Sequence, residues 1–226
     1  MKKHSIALLL LLVLLTGCGA KTEEAPWQTA YRETGKYLQE QDALSAGSVG
    51  GEWAVIGLSR AGLLSDETAQ SYEQTVEDYV KQAGSVRLHH AKSTENSRAI
   101  LGLTAAGYNA ANMAGVDLTA GLTDMAYLRA QGTNGPIWAL IALDCHGYDI
   151  PQCADGEEQT TCEGLVAEIL SYQCSDGGWA LMGDESDVDM TAMALTSLAP
   201  YQEETDIKAA VDAPLTYLSD AQQADG

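Results

Sequence analysis

The sequence predicts an all-α fold of stacked helical repeats, either an open solenoid or a closed α/α toroid. Three observations carry this. Helices with one apolar stripe alternate with helices that are apolar or small all round, as expected of a solvent-facing layer and a layer buried between neighbours. Leu58, Leu103, Leu143 and Leu195 hold equivalent places in four helices of the second kind, at intervals of roughly 40–50 residues, a period typical of two-helix repeats. Strand-like alternation is nearly missing.

Trp27 to Gln41 opens the chain's helical part, with Trp27, Ala30, Tyr31, Thr34 and Leu38 on its pattern. A glycine-rich turn (Gly47, Gly50, Gly51) leads into the nearly uncharged run from Trp53 to Leu58. Ser65-Asp66-Glu67 caps an amphipathic helix whose apolar face is Tyr72, Val76, Tyr79 and Val80. Ser93 to Tyr108 is again poor in charge, Leu118 to Gln131 is predicted as one amphipathic helix, and Ile137 to Leu143 is apolar throughout. A polar loop spans Asp149 to Thr160. Cys162 to Tyr172 and Asp206 to Asp220 are amphipathic, and Asp187 to Leu198 between them is apolar. The small residues Ala54, Gly57, Gly102, Ala139, Ala142, Ala192 and Ala194 suit close packing of the inner helices.

The turn before an inner helix also repeats. Gln131–Gly135, Gln173–Gly177 and Gln222–Gly226 all fit Q-x-x-[DN]-G. The glycine supplies a turn that a β-carbon resists, and Asp or Asn can bond the local backbone. Repeat order predicts another inner helix after the third copy, so the chain reads as ending in mid-repeat and the toroid as incomplete.

The N-terminus reads as a targeting segment, residues 1–17. Lys2, Lys3 and His4 precede an apolar stretch, Ile6 to Leu15, of about ten residues, too short to span a bilayer. It ends in Leu15-Thr16-Gly17-Cys18, a string that resembles the lipobox of bacterial lipoproteins. That resemblance implies a lipidated Cys18, a tether over residues 18–26, and a toroid domain over 27–226 held outside the cytoplasmic membrane by lipid. The formal net charge is −20, from 32 acidic against 12 basic residues, which argues against nucleic acid as a partner. Cys145, Cys153, Cys162 and Cys174 form an even set in an exported chain, so disulfides are expected. Cys145–Cys153 across the polar loop is the most plausible pair. Cys145-His146 with Cys153 lacks the CxxC spacing of a zinc site.

Glu163-Gly164 through Gln173 to Gly177-Gly178-Trp179 is similar to the QW repeats of triterpene cyclases. The whole resembles the terpenoid cyclase and protein prenyltransferase α/α-toroid superfamily. The phrases Gly135–Asp144 and Asp187–Leu195, running into Leu198–Tyr201, are similar to bacterial surface proteins with prenyltransferase and squalene-oxidase repeats. More distantly, the chain is similar to the helical domain of transcobalamin and intrinsic factor. That likeness implies a corrinoid as the most concrete ligand.

The chemistry such folds support is largely missing from the motifs. Class II cyclases use the middle aspartate of D-x-D-D-T-A as an acid. Here the string is Asp187-Val188-Asp189-Met190-Thr191-Ala192, so Asp189 matches the acid while Met190 replaces its neighbour and can share no proton. The plainer reading is a helix N-terminus, with Ser186 or Asp187 capping and Asp189 complementing the dipole. The D-x-C zinc motif of prenyltransferases is missing, and His89 and His90 read as solvated loop residues. Asp184, Glu185, Ser186, Asp187 and Asp189 gather oxygens as a calcium site would, without EF-hand spacing; a solvated acidic loop is the default.

The sequence therefore points to a surface lipoprotein whose toroid domain binds a ligand, a corrinoid by the resemblance, or a protein partner, without catalysis and without a resident cofactor or metal. Trp53, Trp138, Trp179, Asp187, Asp189 and Thr191 are the candidate mouth residues, although the three indoles equally suit core positions. The competing readings are a cyclase-like enzyme using Asp189 and a structural or adhesive module.

Overall fold

The computed structural model describes residues 25–41, 44–48 and 50–224, apart from the side chain of Asp206. Residues 1–17, expected as a targeting segment, Cys18 and most of the expected tether lie outside the described residues, as do Asp225 and Gly226 of the third Q-x-x-[DN]-G turn. Packing divides the chain at Thr34 into two units. Of the first unit the described part is residues 25–34, the start of helix α1 (Pro26–Gln39), where Trp27 and Tyr31 are exposed.

The second unit, Gly35–Gly226, is all-helical among the described residues, its extended pairing limited to isolated bridges. The inner helices are α2 (Gly51–Arg60), α4 (Thr94–Ala105), α6 (Asn134–Asp144) and α8 (Val188–Leu198). The outer elements are α3 (Asp66–Ala83), the short α5 (Met125–Arg129), α7 (Cys162–Ser171) and α9 (Thr205–Ala221). Inner helices pack in series, α2 on α4, α4 on α6 and α6 on α8, with α7 against α6 and α9 against α8.

Local chemistry sets the helix ends. Ser65 Oγ accepts from Thr68 N at 3.1 Å and caps α3. Thr161 and Asp187 cap α7 and α8 in the same way. Gly84 closes α3 in the left-handed region, which glycine enters without a β-carbon clash.

The expected helix over Leu118–Gln131 is instead two pieces, a 3₁₀ turn at Leu118–Leu122 and then α5. Asp124 takes extended angles between them and caps α5 through Ala126 N. The polar loop then pairs with the break: Met125 N donates to the Glu158 carbonyl and Thr160 N to the Thr123 carbonyl, both at 2.8 Å. Tertiary hydrogen bonds from a distant loop overrode a local amphipathic pattern. Arg87 bonds both Asp124 and Glu157, and Arg129 bonds Glu158 and Glu168, fastening the same loop to the body.

Aligning the inner helices on Leu58, Leu103, Leu143 and Leu195 gives a consistent register. All four leucines are buried. Three residues earlier stand Val55, Ile100 and Leu140, all fully buried, and Ala192, which is exposed. Seven earlier, Gly51, Asn96 and Pro136 are buried while Val188 is 47% exposed. Ala192 is therefore not a packing contact as its small size suggested. The face that α2, α4 and α6 bury is open on α8. Gly102 is a close-packing position, but toward the outer layer and not another inner helix: a β-carbon there would lie 2.2 Å from Tyr72 Oη of α3.

The expected Cys145–Cys153 bridge is absent. Each of the four described cysteines is a free thiol. The Cys153 sulfur contacts the Glu157 carbonyl within its own loop, and Cys145 faces back to the Ala142 carbonyl. Asp144, at the end of α6, accepts from Tyr201 Oη at 3.1 and 2.9 Å and so ties α6 to the turn after α8.

Leu140→Ala should cost about 2–5 kcal/mol by urea unfolding, whereas Val188→Ala should stay within about 0.5 kcal/mol. Equal costs would mean that the α8 face is as enclosed as its predecessors. Burial raises the Asp144 carboxyl above its ordinary value, and the Tyr201 hydrogen bond opposes the rise. A raised acid contributes stability below its unfolded pKa and loses it as pH rises through the folded one. Asp144→Asn, which keeps an acceptor for Tyr201, should therefore flatten that loss. Asp144→Leu should cost about 1–3 kcal/mol at every pH, because Tyr201 loses its acceptor. A wild-type profile parallel to that of Asp144→Asn would refute this assignment.

Candidate functional site

The register that fixes the core also fixes which side chains face away from it. Five residues before each reference leucine stand Trp53 on α2, Arg98 on α4, Trp138 on α6 and Met190 on α8. Trp53 and Trp138 come from helices on either side of α4. Their rings nevertheless meet, with centroids 5.1 Å apart and planes tilted by 58°. Equivalent positions two repeats apart converge, so the inner-helix face is concave here. A cleft of about 520 Å³ lies on this face, lined by the two indoles, Lys92, Glu95, Arg98, Gln131 and Asn134 among others. Its size falls in the range of small-molecule sites.

Each wall has a structural origin. Trp53 lies in the first turn of α2, just after the positive-φ Gly50, and is 42% exposed. Gly47 on the rim donates its N–H to the buried Glu52 carboxylate at 2.6 Å. Trp138 is half-buried on α6. Gln131, from the repeated turn, reaches across to the preceding repeat. Its Oε1 accepts from Ser93 Oγ and Thr94 N, each at 3.0 Å, and so closes the N-terminus of α4. Gly135 in the same turn lets α6 approach closely, because a β-carbon there would lie 2.0 Å from the Leu128 carbonyl oxygen.

The polar floor is an ordered set. Arg98 donates from Nη2 to Glu95 Oε2 at 2.7 Å, and Tyr79 Oη donates to the same oxygen at 3.3 Å. Burial, with the Glu95 carboxylate next in effect, pushes the Tyr79 phenol up to about 12, so it remains a donor. Arg98 Nε and Nη1 have no partner among the described residues, nor has the Lys92 ammonium.

The remaining sequence candidates lie elsewhere. Trp179 is fully buried. Its indole N–H donates to the Ile169 carbonyl at 2.7 Å, and its backbone bonds the buried Thr191 hydroxyl. Asp187 is the α8 cap, accepting from Met190 N at 2.7 Å, and Asp189 is exposed beside it. An acid that protonates an alkene needs a water-excluded cavity, and Asp189 stands in solvent. The acidic loop is braced internally, with Asp184 accepting from Ser175 and Asp176 from Ser186. Among the described residues no group of three or more His, Cys, Asp or Glu side chains could hold a metal ion.

Comparison with family models, curated proteins and solved structures gives no match for this chain. Arg98 and Lys92 belong to no motif in the sequence, unlike the indoles and carboxylates. The signal was present: Arg98 occupies in its repeat the place that Trp53 and Trp138 occupy in theirs. A second cleft, of about 370 Å³, lies further along the same helices between Ile56, Arg60, Leu101, Thr104 and Cys145. Burial pushes the Cys145 thiol up, away from the reactive thiolate.

Two indoles this close should couple excitonically. Wild-type protein should give a bisignate feature in the ultraviolet circular dichroism that both Trp53→Ala and Trp138→Ala abolish and that a Tyr31→Ala control leaves intact. Survival of the feature in either tryptophan variant would separate the rings.

Proposed function

We propose that this chain is a surface lipoprotein whose toroid-like repeat domain binds a small molecule without catalysis, and that the site is the cleft between Trp53 and Trp138. The observation that carries this reading is the convergence of equivalent aromatic positions from α2 and α6 over Arg98. Aromatic faces with a few fixed polar groups are how binding clefts combine burial with orientation. Packing of the inner helices in series, and the concavity that brings the two indoles together, support an α/α toroid. The lipobox-like Leu15–Cys18 supports export and anchoring by lipid; among the described residues no helix is long and apolar enough to cross a membrane.

The resemblance to the helical domain of transcobalamin makes a corrinoid the first ligand to try. The exposed Val188 and Ala192 face on α8 favours a second reading, a module that docks a protein partner. The exposed Asp189 weakens the cyclase reading.

Cyanocobalamin added to the full chain should change its own visible spectrum and quench tryptophan fluorescence saturably, and Trp53→Ala and Trp138→Ala should lose both signals. No spectral change up to roughly 100 µM, a weak limit, would rule out the corrinoid. Binding undiminished in both tryptophan variants would move the site away from this cleft.

A further inference from the structure

The cleft's charge runs against that of the protein. The chain carries 32 acidic and 12 basic residues, yet two cations, Lys92 and Arg98, line the cleft with one carboxylate, Glu95. Glu95 is already engaged by Arg98 Nη2 and Tyr79 Oη. Its pairing leaves Arg98 held in place, with a largely buried side chain and Nε and Nη1 undirected among the described residues. A guanidinium pinned through one N–H of Nη2 keeps the other, which with the N–H beside it forms a preset fork for an oxyanion. Lys92, exposed at the rim, adds a mobile charge without that geometry.

The indoles define the other half of the ligand. Trp53 and Trp138 flank Arg98 by register, so a molecule bonded to the fork also meets an aromatic wall. A small inorganic anion would leave that wall unused, and an organic cation would meet two like charges. A flat organic anion satisfies both.

Building on the proposed binding role of this cleft, we infer that it selects a ligand with a planar apolar face and a carboxylate or phosphate group. Arg98 receives the oxyanion, Lys92 strengthens the local field, and the indoles cover the flat face.

Matched naphthalene probes separate the elements: 2-naphthoate, 2-naphthamide and 2-naphthylmethylammonium share one face and differ in charge. Naphthyl phosphate and inorganic phosphate distinguish the oxyanion sources. Each is titrated into the full chain by calorimetry. 2-Naphthoate or naphthyl phosphate should bind about tenfold or more tightly than the amide, as a charge-assisted fork requires. The ammonium probe and inorganic phosphate should bind most weakly. Arg98→Gln should bring anion and amide together without lowering the thermal midpoint, and Trp53→Ala should weaken every naphthyl probe. Equal binding of naphthoate and amide to wild type, lost in Trp53→Ala, would overturn the anion preference while leaving the cleft a binding site. If no naphthyl probe binds but cyanocobalamin does, the inferred ligand class fails and the binding role stands. Failure of both removes both.

Discussion

The close approach of consecutive inner helices is the constraint on which the rest of the second unit depends. Among the described inner helices, α4 and α6 are each enclosed by the one before and the one after, so the side chains at their contact positions must be small or must interdigitate. The outer layer presses as closely: Gly102 lies under Tyr72 of α3 and Gly135 under the Leu128 carbonyl of α5. A β-carbon at either place would meet oxygen well inside van der Waals contact. Close approach in turn forces all backbone polar groups of these helices to be met within the helix or by neighbours. That is why Gln131 spans from one repeat to the next to satisfy Thr94 N.

The same register generates the cleft. When successive helices are held at a fixed rotation, positions three and seven residues before the reference leucine point into the packing, and the position five before points out of it. Trp53, Arg98 and Trp138 fall on that line. Their convergence is thus a consequence of packing, and their chemistry is free to vary because no core contact depends on it. Met190, at the same place on α8, is buried, so the cleft belongs to the first three inner helices.

Basic residues are scarce in this chain, and their placement is informative. Arg87 joins Asp124 at the break to Glu157 of the polar loop, and Arg129 on α5 joins Glu158 of that loop to Glu168 of α7; Arg87 also lies 4.5 Å from the centroid of the Tyr127 ring. These are bridges between segments far apart in sequence, where a planar guanidinium can serve two acceptors. Arg98 has one carboxylate partner and retains donors facing a cleft. The contrast, within one structure, separates a fastening arginine from one available to a ligand.

Much of the helical layout was legible in the sequence, because burial on one face or all round imposes a 3.6-residue pattern that single residues report. The α3 and α8 caps were legible too, since a cap is a contact between near neighbours in the chain. The pairing of Trp53 with Trp138, the role of Arg98, the interment of Trp179 and Thr191, and the break at Thr123 were decided by tertiary structure. Each depends on groups brought together from different repeats. Trp179 illustrates the reason: an indole expected near a helix start suits a mouth or a core equally well by composition, and it lies instead in the turn ahead of α8, bridged to Gln173. Only the Ile169 carbonyl, supplied by the preceding outer helix, shows that its N–H is satisfied inside. Sequence by itself determined where most helices run and which are apolar all round; the rotation of one inner helix against the next, which no local pattern encodes, decided what they enclose.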